Sequence, residues 1–322
     1  MLLKPIILFI IGLVLLIKGG DWFVDGATGI ARRFHIPEII VGATVVSIGT
    51  TLPEVMVSAT GALAGQGAMA YGNAIGSIIC NTSLIAALTI ALKPGPVNTK
   101  ALKMPVIFFF LSAAIYCATA YISGYFSRPL GFLLLGIFVV YMVITIRQGF
   151  KNPAEHTEED EVGSDKPLWK ELVLLIVGAA VIAVGADLLG DNGTIIAQEL
   201  GVPETVIALT FVALGTSLPE LVTAITSLVK GHGSLSLGNI IGANIFNLVL
   251  VSGVSVALAP FEVPPAATLF GKNASLVLDI PVMLAVMCLL TIPTLMKKKL
   301  SRWQGILLLC IYAAFCVVQF TM

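Results

Sequence analysis

The sequence predicts an all-α polytopic membrane protein of ten transmembrane helices, arranged as two inverted five-helix repeats. Three observations carry this prediction. The 322 residues are 57% hydrophobic and only 11% charged, with a mean hydropathy of +1.01, whereas soluble domains carry about 25% charged residues. The apolar residues fall into runs of the roughly 20 residues that a helix needs to cross a bilayer. The chain also contains itself twice at an offset of 166: Gly49-Thr50-Thr51-Leu52-Pro53-Glu54 returns as Gly215-Thr216-Ser217-Leu218-Pro219-Glu220. The register continues without a gap, carrying Gly72-Asn73-Ala74-Ile75-Gly76-Ser77 onto Gly238-Asn239-Ile240-Ile241-Gly242-Ala243, Asn81 onto Asn247 and Asp21 onto Asp187. Such self-similarity is read before any local pattern.

The ten spans are expected near 5–22, 38–64, 70–92, 104–122, 130–147, 170–190, 204–229, 235–259, 273–295 and 303–320. Arg32-Arg33, Lys93-Pro94-Gly95-Pro96, Arg128-Pro129, the polar segment 151–168 and Lys297-Lys298-Lys299 separate them. Residues 5–22 have the composition of a signal peptide, but the same segment has a counterpart at 170–186 inside the chain, so a retained first span is expected. A β-barrel would alternate apolar and polar residues in short segments, and this chain does not. Zero net charge gives no electrostatic basis for a nucleic-acid partner.

The domain plan is therefore 1–150 as the first five-helix repeat, 151–168 as a short acidic loop and 169–322 as the second repeat. Because each repeat has an odd number of spans, the second enters the membrane in the opposite sense to the first. Inverted repeats of this kind place a substrate site at the midplane where the halves meet. Of eighteen Lys and Arg, all but Lys4, Arg128 and Lys272 fall on one set of span ends. By the positive-inside rule that set is cytoplasmic, with both termini outside and the 151–168 loop inside a cell membrane. The acids of that loop, Glu155 to Asp165, lack EF-hand spacing and read as a solvated linker or a weak regulatory cation site.

The doubled motif carries the chemistry. Pro53 and Pro219 have no N–H, so the carbonyls of Gly49 and Gly215 lose their helical partners. Free carbonyls at membrane depth must line a cavity or find another partner, and a desolvated cation is one. Glu54 and Glu220 are carboxylates in apolar spans, which cost about 2.5–3.5 kcal/mol at the centre of a bilayer and mark function by default. Inversion brings the two face to face. With the hydroxyls of Thr50, Thr51, Thr216 and Ser217 they form an all-oxygen set suited to hard cations such as Ca²⁺ and Na⁺. No His or Cys ligand is expected nearby, which disfavours zinc and copper. Asn73, Ser77 and Asn81 share one helix face at four-residue spacing, and Asn239, Ala243 and Asn247 repeat it with one hydroxyl lost, so Asn73 and Asn239 join the candidate cation-site residues. The Gly72/Gly76 and Gly238/Gly242 pairs permit close helix packing.

Weaker candidates have plain structural readings. Asp21 and Asp187 are expected near span ends, Asp279 packed on a polar neighbour, and His232 solvated in a turn. The five cysteines lie in or beside apolar runs and read as packing residues.

At these motifs the sequence resembles the sodium/calcium exchanger family, within the cation/calcium antiporter superfamily, most closely in its compact prokaryotic form. The match rests on G-[ST]-[ST]-x-P-E followed by G-N-x-x-G-[SA]-x-x-x-[ND], present twice at equal spacing. The resemblance implies that Glu54 and Glu220 bind Ca²⁺ and Na⁺ centrally, with oxygens from Thr50, Thr51, Thr216 and Ser217. It further implies that backbone carbonyls near Ser47 and Ala213 line peripheral Na⁺ sites, and that Ser77, Asn81 and Asn247 complete the coordination. The first and sixth spans would slide across this core. Asn247 stands where some members carry Asp, which implies independence from K⁺, and Ala243 removes one side-chain ligand for Na⁺.

The function expected is therefore an antiporter, not an enzyme: Na⁺ exchanged for Ca²⁺ by alternating access, electrogenic at three Na⁺ per Ca²⁺. It would need no cofactor and no obligate protein partner, only its ions and the lipid bilayer. A proton/calcium antiporter is the alternative, since buried carboxyls also take protons. A cation channel is a more distant one. Hydrolytic chemistry lacks a nucleophile–base pair, because His35, His156 and His232 all fall in expected loops.

Overall fold

A computed structural model describes residues 2–151, 167–200, 215–264, 268–269 and 271–321. Among these residues nine helices are long and apolar enough to cross a membrane. They are α1 Leu3–Arg33, α2 Glu38–Leu63, α3 Gly67–Leu92, α4 Thr99–Ile122, α5 Arg128–Lys151, α6 Leu168–Glu199, α8 Gly233–Leu258, α9 Ser275–Lys297 and α10 Arg302–Thr321. The tenth, α7, is Leu218–Val229 and lies inside the span expected at 204–229. Nine of the ten expected spans thus correspond to long apolar helices, the seventh is described only over Leu218–Val229, and the chain is an all-α, multi-pass membrane protein.

Helices α1 and α6 differ from expectation. At 31 and 32 residues they run about 46–48 Å, well beyond the roughly 30 Å hydrocarbon core. Charged residues expected to end them are instead paired within the fold. Arg33 Nε lies 3.1 Å from Glu171 Oε2, joining the end of α1 to the start of α6. Asp21 and Asp25 pair with Lys230. Asp21 and Asp187 accordingly sit inside long helices rather than at span ends.

The inversion is visible where α1 crosses α6. A Cβ on Gly12 would meet Leu189 N at 2.8 Å and Gly185 O at 2.9 Å, and one on Gly19 would meet Ile182 N at 2.8 Å. One on Gly26 would meet Leu175 N at 2.6 Å. As the α1 position rises the α6 position falls, so the helices are antiparallel. They are also repeat equivalents: Gly12 facing Gly185 maps, through the 166-residue offset, onto Gly178 facing Gly19. Two equivalent helices in antiparallel backbone contact are related by a two-fold axis in the membrane plane. Glycine at seven-residue intervals allows this approach, as small residues do wherever membrane helices touch backbone to backbone.

Connections sort cleanly to two ends. Gly95–Pro96 pairs with Lys299–Leu300, and Phe34 packs edge-on against Phe150. His232 Nδ1 lies 2.7 Å from Glu38 Oε1. Turns near 34, 93–98, 150, 232 and 298–301 therefore share one end, which also carries Arg32, Arg33, Lys93 and Lys297 to Lys299. His232 is part-buried in that contact rather than solvated. At the opposite end Tyr125–Phe126 pairs with Phe261–Glu262. Asp279 accepts from Gln319 Nε2 at 2.8 Å, as a packed polar neighbour should.

Replacing Gly178 by Val would drive a side chain into the Phe23 backbone, whose nitrogen is 2.5 Å from the ideal Cβ. Overpacking of this kind costs about 1–3 kcal/mol. Gly178→Val is expected to lower the thermal unfolding temperature in detergent. Gly136→Ala, whose Cβ meets nothing within 4 Å, is expected to leave it unchanged or to raise it. Equal melting of wild type and Gly178→Val would contradict the seam.

Candidate functional site

The two proline motifs fold differently. Around Pro53 the helix is unbroken from Ser47 to Leu63, so the expected break does not occur in the first copy. One missing N–H costs a single ladder bond, and the flanking turns hold the helix together. In the second copy Thr216 and Ser217 form a turn, and Pro219 sits in the first turn of α7, where its missing N–H is harmless. Just before Ser47, residues Gly42–Val46 wind as a π-helical turn. Two further π-helical turns begin at Asn81 and at Asn247, which are repeat equivalents. Such turns widen a helix and free carbonyls, often at functional sites. Serine hydroxyls answer two of those carbonyls: Ser47 Oγ donates to Gly42 O at 2.8 Å, and Ser252 Oγ to Asn247 O at 2.9 Å.

Glu54 and Glu220 are both fully buried. Their carboxylates are neighbours, and the Thr50 and Thr51 hydroxyls lie beside Glu220. None of the four carboxylate oxygens has a hydrogen-bond partner of good geometry among the described residues. The same holds for Thr51 Oγ1, Ser217 Oγ and both polar side-chain atoms of Asn81 and Asn247. The turn that begins at Asn81 packs against α7, and the one that begins at Asn247 packs against α2. The structure thus gathers unpaired oxygens around two neighbouring carboxylates, where a buried polar group without a partner ordinarily costs about 1–3 kcal/mol.

Asn73 and Asn239 stitch the repeats together. Thr216 Oγ1 donates to Asn73 Oδ1 at 3.3 Å, and its equivalent Thr50 Oγ1 donates to Asn239 Oδ1 at 3.2 Å. Ser47 Oγ also reaches Asn239 O at 2.9 Å and Asn239 Oδ1 at 3.2 Å, so its hydroxyl is committed to the fold. Gly238 and Gly242 pack directly on Ile39, Ala43 and Ser47, as the small-residue pattern leads one to expect. The equivalent contacts of Gly72 and Gly76 would involve positions 205 and 209, and these, like Ala213 of the expected ligand set and most of the acidic loop, lie outside the described residues. Ser77 is buried within α3.

The comparisons with known proteins bear on this geometry. The sequence model of the family described as "Sodium/calcium exchanger protein" matches residues 4–147 and 170–321. The chain belongs to the sodium/calcium exchanger family. It is a cation-exchanging membrane transporter, not an enzyme. A solved structure of the sodium-calcium exchanger NCX_Mj, soaked with 10 mM Na⁺ and zero Ca²⁺, superimposes with a TM-score of 0.80 at 32% identity, covering 98% of this chain and 99% of that one. A membrane protein of Methanocaldococcus jannaschii is 36% identical over 312 residues, 97% of each chain. The sodium/calcium exchanger MaX1 of Methanosarcina acetivorans is 30% identical over 357 residues, 98% of each chain.

Three features of this exchanger escaped the sequence reading. Cys80, expected as packing alone, sits beside Ser217 and near Glu220; its place next to Asn81 was the available signal. Ser58, one helical turn past Glu54, accepts from Asn73 Nδ2 at 2.7 Å. A cleft of about 180 Å³ reaches the site between α6 and α2, lined by Pro53, Val57, Asp187, Asp191, Thr194, Thr216 and Pro219. It lies toward the end opposite the basic loops, because α6 begins at the basic end and these α6 residues fall in its second half.

The Ser58 contact exposes an asymmetry. The equivalent of Ser58 is Ala224, and Asn239 Nδ2 has no partner among the described residues. Ser58→Ala is expected to destabilise the protein by about 0.5–1.5 kcal/mol, because it removes the shorter of two hydrogen bonds from the part-buried Asn73 amide and leaves only the Glu54 carbonyl at 3.2 Å. Ala224→Ser is expected to raise the melting temperature by supplying the partner that Asn239 lacks. Opposite signs for the two variants in thermal unfolding would check the account, and equal signs would contradict it.

Proposed function

We propose that this exchanger moves Ca²⁺ against Na⁺ by alternating access. The observation that carries the reading is the pair of neighbouring, fully buried carboxylates, Glu54 and Glu220, whose oxygens have no partner of good geometry among the described residues. Two negative charges match one Ca²⁺, which takes six to eight oxygens. Thr50, Thr51, Thr216 and Ser217 supply further oxygens next to the carboxylates. Asn81, Asn247 and Ser77 supply them from the facing helices, and carbonyls near Ser47 and Ala213 serve peripheral Na⁺. Asn73 and Asn239 position the threonines rather than bind ions directly. Ions that use the same oxygens exclude one another, so the gradient of one drives the other. A site occupied by neither would carry two uncompensated charges through the bilayer, which suppresses leak.

Asn247 leaves two core carboxylates, which favours exchange without K⁺. The stoichiometry in this reading is three Na⁺ per Ca²⁺, moving one net charge per cycle. The basic end faces the cytoplasm under the positive-inside rule, which puts both termini outside.

Proteoliposomes loaded with Na⁺ and diluted into Na⁺-free medium are expected to take up radioactive Ca²⁺. Uptake should be indifferent to K⁺, faster under an inside-positive potential, and reduced to background in Glu54→Gln. Uptake that follows an imposed pH gradient in the absence of Na⁺ would assign the carboxylates to proton exchange instead.

A further inference from the structure

The repeat supplies the residues for a counterpart, at the basic end, of the cleft that reaches Thr216. The 166-residue offset carries Asp187, Asp191 and Thr194 onto Asp21, Asp25 and Thr28, and Val57 onto Thr223. That region is shut. A Cβ on Gly20 of α1 would meet Val222 Cγ1 of α7 at 2.8 Å and Thr226 Oγ1 at 3.0 Å. At the other end Met56 and Thr60, the equivalents of Val222 and Thr226, are exposed, and Ala186, the equivalent of Gly20, lines the same stretch of α6 as the cleft. The two halves differ in conformation: α1 is closed onto α7, whereas α6 leaves a gap beside α2.

Two observations mark the closed region as a passage rather than ordinary packing. Thr223 is fully buried and its hydroxyl has no partner among the described residues. Many buried hydroxyls elsewhere donate to the carbonyl four residues back, as Thr44, Ser112, Thr291 and Thr294 do, although Ser227 on α7 and Thr145 on α5 also lack a partner among the described residues. Thr223 makes no such bond, and it lies one turn from Glu220 on the same face of α7. The second observation is Lys230. Its Nζ sits 2.8 Å from Asp25 Oδ1, 3.3 Å from Asp21 Oδ1 and 3.0 Å from the Asp21 carbonyl oxygen. One ammonium group just past the end of α7 thereby pins two turns of α1. The equivalent of Lys230 is Ala64, so the duplication did not place a pin at the end that stands open.

We propose that Asp21, Asp25 and Thr223 line a second cation passage, leading from Glu220 to the basic end, and that Lys230 is the lock that holds it shut. In the closed state the lysine bridges the two aspartates and offsets one of their two negative charges. When α1 parts from α7 they face water as an acidic lining that attracts hydrated cations, as Asp187 and Asp191 do in the open cleft. The lock biases the protein toward the state seen here, with access from the opposite end. This proposal rests on the alternating-access reading but not on the identity of the driving ion.

The test reads accessibility, with no ion gradient. Purified Thr223→Cys protein is treated with a charged, water-soluble thiol reagent, and labelling at residue 223 is followed by peptide mass spectrometry, which separates it from the native cysteines. Labelling is expected to be slow with Lys230 present and about two- to fivefold faster in Lys230→Ala, the range expected when a partly exposed ion pair is lost. Asp25→Asn should accelerate it in the same direction, and Lys230→Arg should keep it slow. In the converse arm, Val57→Cys at the open end should label quickly, and Ala64→Lys should slow it by offering Asp187 and Asp191 the missing cation. Unchanged labelling at 223 in both Lys230→Ala and Asp25→Asn would overturn the lock. Proton-driven uptake in the transport assay would change the driving ion and leave this result standing.

Discussion

Two carboxylates are neighbours in the middle of a structure built for hydrocarbon, with no Lys or Arg among the described residues paired to them, and the rest of the architecture follows from that. Like charges brought close together repel by several kcal/mol even at an effective dielectric of about 20, before the cost of desolvating each is counted. A soluble enzyme would answer with a basic side chain. Here most basic residues lie at one end of the molecule, and those that form ion pairs among the described residues are spent elsewhere: Arg33 on Glu171, Lys230 on Asp21 and Asp25. The centre is surrounded instead by neutral oxygens. Such a set leaves the charge to be balanced by something mobile, which is what a carrier of cations requires.

The inverted repeat is the simplest way to build this centre. Each half contributes one glutamate, one hydroxyl pair and one asparagine at the head of a π-helical turn, and the two-fold axis makes them converge. The same axis explains the cross-links, Thr216 to Asn73 and Thr50 to Asn239. It also explains why α1 and α6, as equivalent helices, meet along a glycine seam that leaves backbone against backbone. A seam without interlocking side chains resists sliding less than a knobs-into-holes contact does, and the conformational difference between the two halves is located beside it. Departures from symmetry then acquire meaning. Ala224 for Ser58, Thr223 for Val57 and Lys230 for Ala64 are the positions where the chain has stopped treating its two ends alike.

Much of this was legible in the sequence because the signals were long or repeated. Ten apolar runs and an ungapped offset fix helix number and inversion without any side-chain geometry, and Glu54 and Glu220 stand out because carboxylates are rare in such runs. The length of α1 and α6 was not legible, since Asp21, Asp25 and Glu171 look like span ends until their partners, distant in sequence, are known. Nor was the continuity of α2 through Pro53: proline predicts a lost hydrogen bond, but whether the helix breaks depends on its neighbours. The π-helical turns leave no compositional trace. Cys80 and Ser58 were hidden because residues of their type usually pack or back-bond, and only the fold brings them to the site.

The central claim is that one set of oxygens serves both ions, so that they exclude each other. Equilibrium binding of radioactive Ca²⁺ to the purified protein, titrated with Na⁺ at fixed pH and ionic strength, tests it most directly. The account predicts that Na⁺ displaces Ca²⁺ completely, with the apparent Ca²⁺ dissociation constant rising without limit as Na⁺ increases and no complex holding both at saturation. A plateau, with Ca²⁺ still bound at saturating Na⁺, would mean separate sites and would contradict it.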